Sequence, residues 1–469
     1  MFKIIIHNVS KKYDYEELIK VFLNPEEFYV ELPQSLDEEL SKSDLLKLSE
    51  HSNNNFQIIE INTCCSDDKN EIKAELYNKL SELTGERPPW GILTGVRPVK
   101  LAGELIEKHK NETHSILKGK YLLSDEKAKL IIDTYLYQQR IIGKPLFNDT
   151  GIYIGIPFCP TRCLYCSFTS NQVKDSEIDR YLIALHREID YSATLMKERG
   201  YCGESLYVGG GTPTTLNEVQ LKNLLSLIDR NFEIEKLKEL TVEAGRPDTI
   251  TLEKLKILEA YGVDRISINP QSMKDKTLEL IGRSHSSNMT REAMKIARKV
   301  NIPVVNMDVI AGLPEESPKD FEKTLMELVD YGAENITVHT LAVKRASKLI
   351  EEDKDYHYKQ GKIVSEMLDI ANDILKSNGY TPYYLYRQKH MAGAMENIGW
   401  CKNDTACIYN IRIMEEAESI LALGAGGISK QYYPLENRLE RVANVSNYEI
   451  YIERLEEMLE RKNKNLFIK

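Results

Sequence analysis

From residue 151 onward the chain alternates short apolar runs with amphipathic stretches, and this alternation constrains the fold more than any other feature. The runs are GIYIGIP, ESLYVGG, ELTVEAG, DRISIN, IPVVNMDVI and ENITVHT, and helical patterns separate them. In the first such pattern, EIDRYLIALHREID, the residues Ile178, Tyr181, Leu182, Leu185 and Ile189 form one stripe. Repeated strand-helix units predict a parallel sheet with right-handed crossovers, either an open sheet or a partial barrel. Polar and glycine residues gather just after the runs. That is the carboxyl edge, where parallel α/β folds place their chemistry.

A chain of 469 residues exceeds what one core usually fills, so two or three domains are expected. Residues 1–145 read as a separate α+β unit of unknown role, with strands FKIIIHN, EFYVEL and QIIEIN and helices EIKAELYNKLSEL and EKAKLIIDTYLYQQRII. Residues 146–377 carry the alternation, and 378–469 form a Tyr- and Gly-rich segment on the substrate side. Within the first unit, ERPPWGILTGVRPVK reads as an ordered loop around Trp90 with Pro98 opening a helix; a substrate contact by Arg97 is the alternative. No long apolar run is present and the opening FKIII is too short for a signal peptide, so no membrane span and a cytoplasmic address are expected. The formal charge of -10 argues against a nucleic-acid binder, because phosphate neutralisation needs a broad excess of Lys and Arg.

Three of the eight cysteines fall in CPTRCLYC, as Cys159, Cys163 and Cys166, directly after the first run. Scattered cysteines would produce this spacing about 0.002 times per chain, so chance is a poor explanation. In a reducing compartment the thiols stay free for metal or redox work. Three close thiolates suit an iron-sulfur cluster. Structural zinc wants four protein ligands, and the nearest downstream histidine, His186, lies within a predicted helix. A cubane on three thiolates leaves one iron open to an external ligand. Cys64, Cys65 and Cys202 read as small hydrophobes, while Cys401 and Cys407 are half the ligand set of a second cluster. In VGGGTPT, Val208 to Thr214, glycines let backbone approach a ligand closely, and the Lys of a phosphate loop is absent. His339 sits in the sixth run, facing in or out according to register.

IPFCPTRCLYC resembles the signature of radical S-adenosylmethionine (SAM) enzymes. Together with VGGGTPT, Glu243, Gln271, Arg283 in LELIGRSH and Asp308 in NMDVIAGLP, it resembles the oxygen-independent coproporphyrinogen III oxidase family, including coproporphyrinogen dehydrogenases of the HemZ type. The resemblance runs from about Tyr153 to Ser429. It implies an α/β fold, a partial (β/α)6 TIM-like barrel with an extra N-terminal α+β domain and a short C-terminal segment. It also implies one 4Fe-4S cluster on Cys159, Cys163 and Cys166, and one or two SAM molecules held by Tyr153, Gly210, Gly211, Thr212, Glu243, Gln271, Arg283, Asp308 and Ala342.

The reaction implied is oxidative decarboxylation of coproporphyrinogen III propionates to vinyl groups, giving protoporphyrinogen IX, with electrons from a donor such as flavodoxin or ferredoxin. Relatives supply two rival expectations: radical methyl transfer that opens the haem ring, and a haem chaperone. Three positions depart from the family pattern. Phe168 stands where the oxidases have a further cysteine, Gly155 replaces a histidine before the cluster, and MENIGWCK offers Glu396 and Asn397 without the histidine of the haem-carrier motif. Lys344, Arg345 and Lys348 follow the sixth run, and YYLYRQKH adds Arg387, Lys389 and His390 among tyrosines. Lys344, Arg345 and Arg387 are the candidates for pairing with substrate propionates, a solvated basic face being the alternative.

Overall fold

The computed structural model describes residues 1–7, 9, 12–32, 57–61, 68–95, 97–166, 170–342, 360–388 and 391–468. They form two compact units. The first comprises the described residues of 1–135 together with Arg387, Gln388 and Gly393–Met395. Its strands β1 (Phe2–Ile6), β2 (Phe28–Glu31) and β3 (Gln57–Ile61) are parallel in the order β2-β1-β3. Ile4, Ile6 and Ile61 pack with Leu76 and Leu80 of the helix Lys69–Thr84 in its core. Pro98 opens the helix Pro98–His109, where its missing N–H costs no hydrogen bond.

The second unit starts at Leu136 and contains the six runs as strands: β4 (Asp149–Ile156), β5 (Cys202–Gly210), β6 (Glu239–Glu243), β7 (Arg265–Ser267), β8 (Val304–Ala311) and β9 (Asn335–Thr340). Each pairs in parallel with the next. Ile152, Ile154 and Leu206 have no exposed surface, and each such side chain is worth about 1.5–3 kcal/mol of burial. The stripe from Ile178 to Ile189 is buried on the helix Asp175–Glu198. Helix starts are fixed locally: Asn217 with Gln220, and Ser317 with Asp320, form capping boxes that satisfy N–H groups the first turn leaves over.

The segment after 378 extends both edges of this sheet. On the β9 side lie β10 (Thr381–Tyr386) and β11 (Asn397–Cys401), antiparallel; on the β4 side lies β12 (Ser419–Leu423), parallel, followed by β13 (Ile428–Tyr433) and β14 (Arg438–Ala443). The order is β10-β11-β9-β8-β7-β6-β5-β4-β12-β13-β14, a partial barrel of six parallel strand-helix units with added strands at each side. Among the described residues no helix is long and apolar enough to cross a membrane.

Candidate active site

The cysteine loop leaves the carboxyl end of β4. Its base is closed where Asn171 donates its backbone N–H to the Pro157 carbonyl (2.9 Å) and accepts from the Cys159 N–H (3.1 Å). Further on, the Leu164 N–H bonds the Ile281 carbonyl (3.0 Å), and the Cys166 N–H bonds that of Cys163 (3.3 Å). Cys163 is buried and the other two are half-buried. Burial pushes the Cys159 thiol up to about 11, so ligating iron must displace a proton. Among the described residues no three His, Cys, Asp or Glu side chains converge on a single metal ion. A cubane asks for no such convergence, because each thiolate binds its own iron.

The glycine turn after β5 lies against this loop. The Gly211 N–H bonds the Ile156 carbonyl and the Thr212 N–H that of Phe158, both at 2.8 Å. A Cβ on Gly211 would fall 2.5 Å from the Phe158 oxygen and 2.9 Å from Cys159 Sγ. Gly210 has φ +116°, open only to glycine, and a Cβ there would meet the Ile156 oxygen at 2.9 Å. Thr212 Oγ1 lies 3.5 Å from Cys159 Sγ.

Glu243, Asp308 and His339 share one face of the sheet near its carboxyl edge. The Tyr207 hydroxyl donates to Glu243 Oε1 (2.7 Å), and burial raises the Glu243 carboxyl to about 7 against the help of that bond. Asp308 accepts from Asn306 Nδ2 (2.7 Å) and lies 3.6 Å from His339 Nε2. His339 Nδ1 is 3.4 Å from the Tyr386 hydroxyl, which answers the register question: the ring faces the carboxylates. The rings of Tyr153, Tyr207 and Tyr409 stack mutually, with centroids 6.2 Å (Tyr153–Tyr207), 6.1 Å (Tyr153–Tyr409) and 5.0 Å (Tyr207–Tyr409) apart. Gln271 takes φ +68°, rare for its type, while its backbone exchanges hydrogen bonds with β8 at the Asp308 carbonyl and the Ile310 N–H (3.0 and 3.1 Å). Arg283 donates to the Tyr165 hydroxyl inside the cysteine loop (2.8 Å). Ala342, just past β9, forms an isolated bridge with Met391.

The remaining sequence candidates have other partners or fall outside the described residues. Lys344, Arg345, Lys348, Lys389, His390, Cys64, Cys65 and Phe168 fall outside them. Arg387 is buried in the first unit, where it donates to the Leu93 carbonyl and to that of Ala394 (2.5 Å) and stacks on Trp90 at 4.9 Å. Cys407 donates to Glu239 Oε1 (3.0 Å), and Cys401 Sγ lies 3.1 Å from the Tyr137 hydroxyl. Sequence reasoning missed Tyr207, Tyr409 and Arg246. Arg246 stands three residues after Glu243, and the rule that chemistry gathers behind the strands points to it too.

Does this arrangement suit a cluster with an external ligand? Two buried polar atoms, Arg283 Nε and Asn269 Oδ1, have no partner among the described residues. A bound polar molecule would satisfy them. Gly211 lets the turn pack directly against the Cys159 sulfur, where no Cβ could fit. The residues therefore fit a three-thiolate cluster with a small polar molecule beside it.

Comparison with known proteins gives this chemistry its class. Residues 153–328 match the Radical SAM superfamily, so the protein is a radical SAM oxidoreductase whose cofactors are a 4Fe-4S cluster and SAM. Over 407 residues it is 39% identical to an oxygen-independent coproporphyrinogen-III oxidase-like protein, HemZ, of Bacillus subtilis, covering 85% of this chain and 81% of that one. The chain belongs to this HemZ, coproporphyrinogen-III oxidase-like family. It is also 33% identical to the heme chaperone HemW of the same organism, over 49% of this chain and 61% of that one. The solved structure of coproporphyrinogen III oxidase (HemN) from Escherichia coli shares the fold, with a TM-score of 0.54, 21% identity and coverage of 69% and 73%.

Proposed function

We propose that the protein converts propionate side chains of coproporphyrinogen III to vinyl groups. Each conversion removes carbon dioxide, one hydrogen atom, which the SAM-derived radical would take up, and one electron, which an external one-electron acceptor would take up. In this reading Cys159, Cys163 and Cys166 hold the cluster, while Tyr153, Gly210, Gly211, Thr212, Glu243, Gln271, Arg283, Asp308 and Ala342 hold SAM. When bound, cluster and SAM supply an organic radical able to take a hydrogen atom from an unactivated carbon. The chain's own part is to position and enclose. Gly210 and Gly211 bring backbone to the cysteine loop without a Cβ in the way. Arg283 steadies that loop through Tyr165. Electrons come from a one-electron donor of the flavodoxin or ferredoxin type.

The observation that carries the substrate reading is the 39% identity, over most of both chains, to an oxygen-independent coproporphyrinogen-III oxidase-like protein, with Tyr207, Tyr409 and His339 adding aromatic and polar groups next to the SAM residues. Lys344 and Arg345 would meet the propionates, so neutral substitutions there are expected to raise the Michaelis constant for a tetracarboxylate. A haem carrier is the second reading, favoured by the likeness to HemW. Against it, Asn397 is already engaged: its Oδ1 accepts from the Thr340 N–H at 2.8 Å. Anaerobic reconstitution with iron, sulfide, SAM and reductant, followed by mass analysis of coproporphyrinogen and haem incubations, decides between them. Loss of carbon dioxide from coproporphyrinogen is expected. Retained, unaltered haem with unchanged coproporphyrinogen would overturn the oxidase reading.

A further inference from the structure

Arg246 holds a place that neither the cysteine motif nor the SAM set explains. It caps the short turn Pro247–Thr249 behind β6, and only 3% of it is exposed. A buried guanidinium needs partners for its donors. Nε and Nη2 reach the two Asp248 oxygens at 3.0 and 3.1 Å, a bidentate pair that fixes the plane of the group. Nη2 also bonds Thr161 Oγ1 in the cysteine loop (2.9 Å) and the Ser284 hydroxyl. Ser284 in turn donates to Asp248 Oδ2 (2.6 Å). With the fork held in this way, Nη1 points at Cys163 Sγ, 3.7 Å away.

We propose that Arg246 is a positioning residue that sets the reduction potential of the cluster, by donating an N–H to the Cys163 sulfur. The inference rests on Cys163 being a cluster ligand. A donor aimed at a ligating sulfur draws electron density from it and so stabilises the form carrying the extra electron. Asp248 limits the effect, because its charge opposes that of the guanidinium. The two residues should therefore act in opposite directions. Removing the donor makes the cluster harder to reduce; neutralising Asp248 while keeping Arg246 makes it easier. A mere tether between β6 and the loop would alter iron retention and leave the potential where it was.

The test uses the full chain, reconstituted anaerobically, in parent, Arg246→Met and Asp248→Asn forms. Iron and sulfide per chain are measured first. Each protein is then titrated with dithionite as the one-electron donor, without SAM, while the reduced cluster is followed by electron paramagnetic resonance. The midpoint is expected to move negative in Arg246→Met and positive in Asp248→Asn. Should Arg246→Met load no iron, the positive shift in Asp248→Asn carries the decision. A parent midpoint in every loaded variant, or shifts of the same sign in both, overturns the role of Arg246. A parent that loads no cluster, or a Cys163→Ala variant that loads one normally, overturns the ligand assignment instead.

Discussion

The two ends of the barrel strands both bury charged side chains, and they treat them in opposite ways. At the amino ends, carboxylates face guanidinium groups: Arg265 bonds Glu239 (3.0 Å) and Asn335 (2.7 Å), and Arg412 grips Glu204 through Nε and Nη2 (2.7 and 2.9 Å). Burial and the neighbouring Glu204 charge push the Glu418 carboxyl well above the ordinary carboxylate range, against the pull of Arg412. At the carboxyl ends, Glu243 and Asp308 lie near one another, and among the described residues neither forms an ion pair with Lys or Arg. Most of the charge at the amino end is matched within the fold, although Arg265 Nε and both Glu418 oxygens find no hydrogen-bond partner among the described residues; at the carboxyl end Arg246 and Asp248 pair with each other, while Glu243 and Asp308 do not pair with a cation of that kind. The carboxyl end keeps capacity for something that is not protein, and that difference separates a scaffold from a site.

The largest expected effect tests the amino end. Arg412→Met takes from the buried Glu204 its guanidinium partner and leaves only the more exposed Lys238 ammonium beside it, and should cost up to about 3–5 kcal/mol of stability, read as a lowered thermal midpoint. Cluster loading in the protein that still folds should be unaffected. A smaller stability effect with a larger functional one is expected from Gly210→Ala. The positive φ alone costs about 1–2 kcal/mol, and the new methyl must also push the Ile156 carbonyl, at the root of the cysteine loop, aside. Iron bound per chain should fall sharply while most of the fold survives. If Arg412→Met instead emptied the cluster site and Gly210→Ala did not, the division between the two ends would fail.

The six strands and the cysteine loop were legible because local signals and long-range structure agree there: β-branched runs become buried parallel strands, and motif residues lie at fixed distances behind them. The stripe from Ile178 to Ile189 shows the same agreement. The C-terminal segment was not legible in this way. Strands β10 and β11 join one side of the sheet and β12 the other, a choice made by tertiary pairing that periodicity does not record. The surroundings of Arg387 were hidden for a related reason. Among tyrosines it reads as a free cation, yet Nη1 and Nη2 donate to two carbonyls and its face lies on Trp90, contacts nearly three hundred residues apart in sequence in the case of Leu93. Glu188 is the reverse case, a charged residue inside an amphipathic helix that is wholly buried. Lys462, Asn444, Tyr451 and the Gly424 N–H all meet it, and none is its sequence neighbour.

The smallest expected stability change has the most telling sign. Because burial raises Glu243 to about 7 from an ordinary value of 4.5, the folded apo-protein holds a proton there that the unfolded chain has already released. The stability tied to this group is therefore fully present below about pH 4.5 and is lost as pH rises through about 7. Glu243→Gln never ionises, and its side-chain oxygen can still accept from Tyr207. The variant should match the parent at pH 5 and unfold at a slightly higher temperature at pH 8, while binding SAM less well. The opposite substitution at the other end, Glu204→Gln, should destabilise at pH 8, since it removes the carboxylate that Arg412 and Lys238 both grip. One amide replacement thus stabilises where the fold leaves a carboxylate to serve a ligand and destabilises where the fold itself consumes it. Equal signs in the two thermal scans would mean that the carboxyl end is as self-sufficient as the amino end, and Glu243 would then have to be read as structure rather than as site.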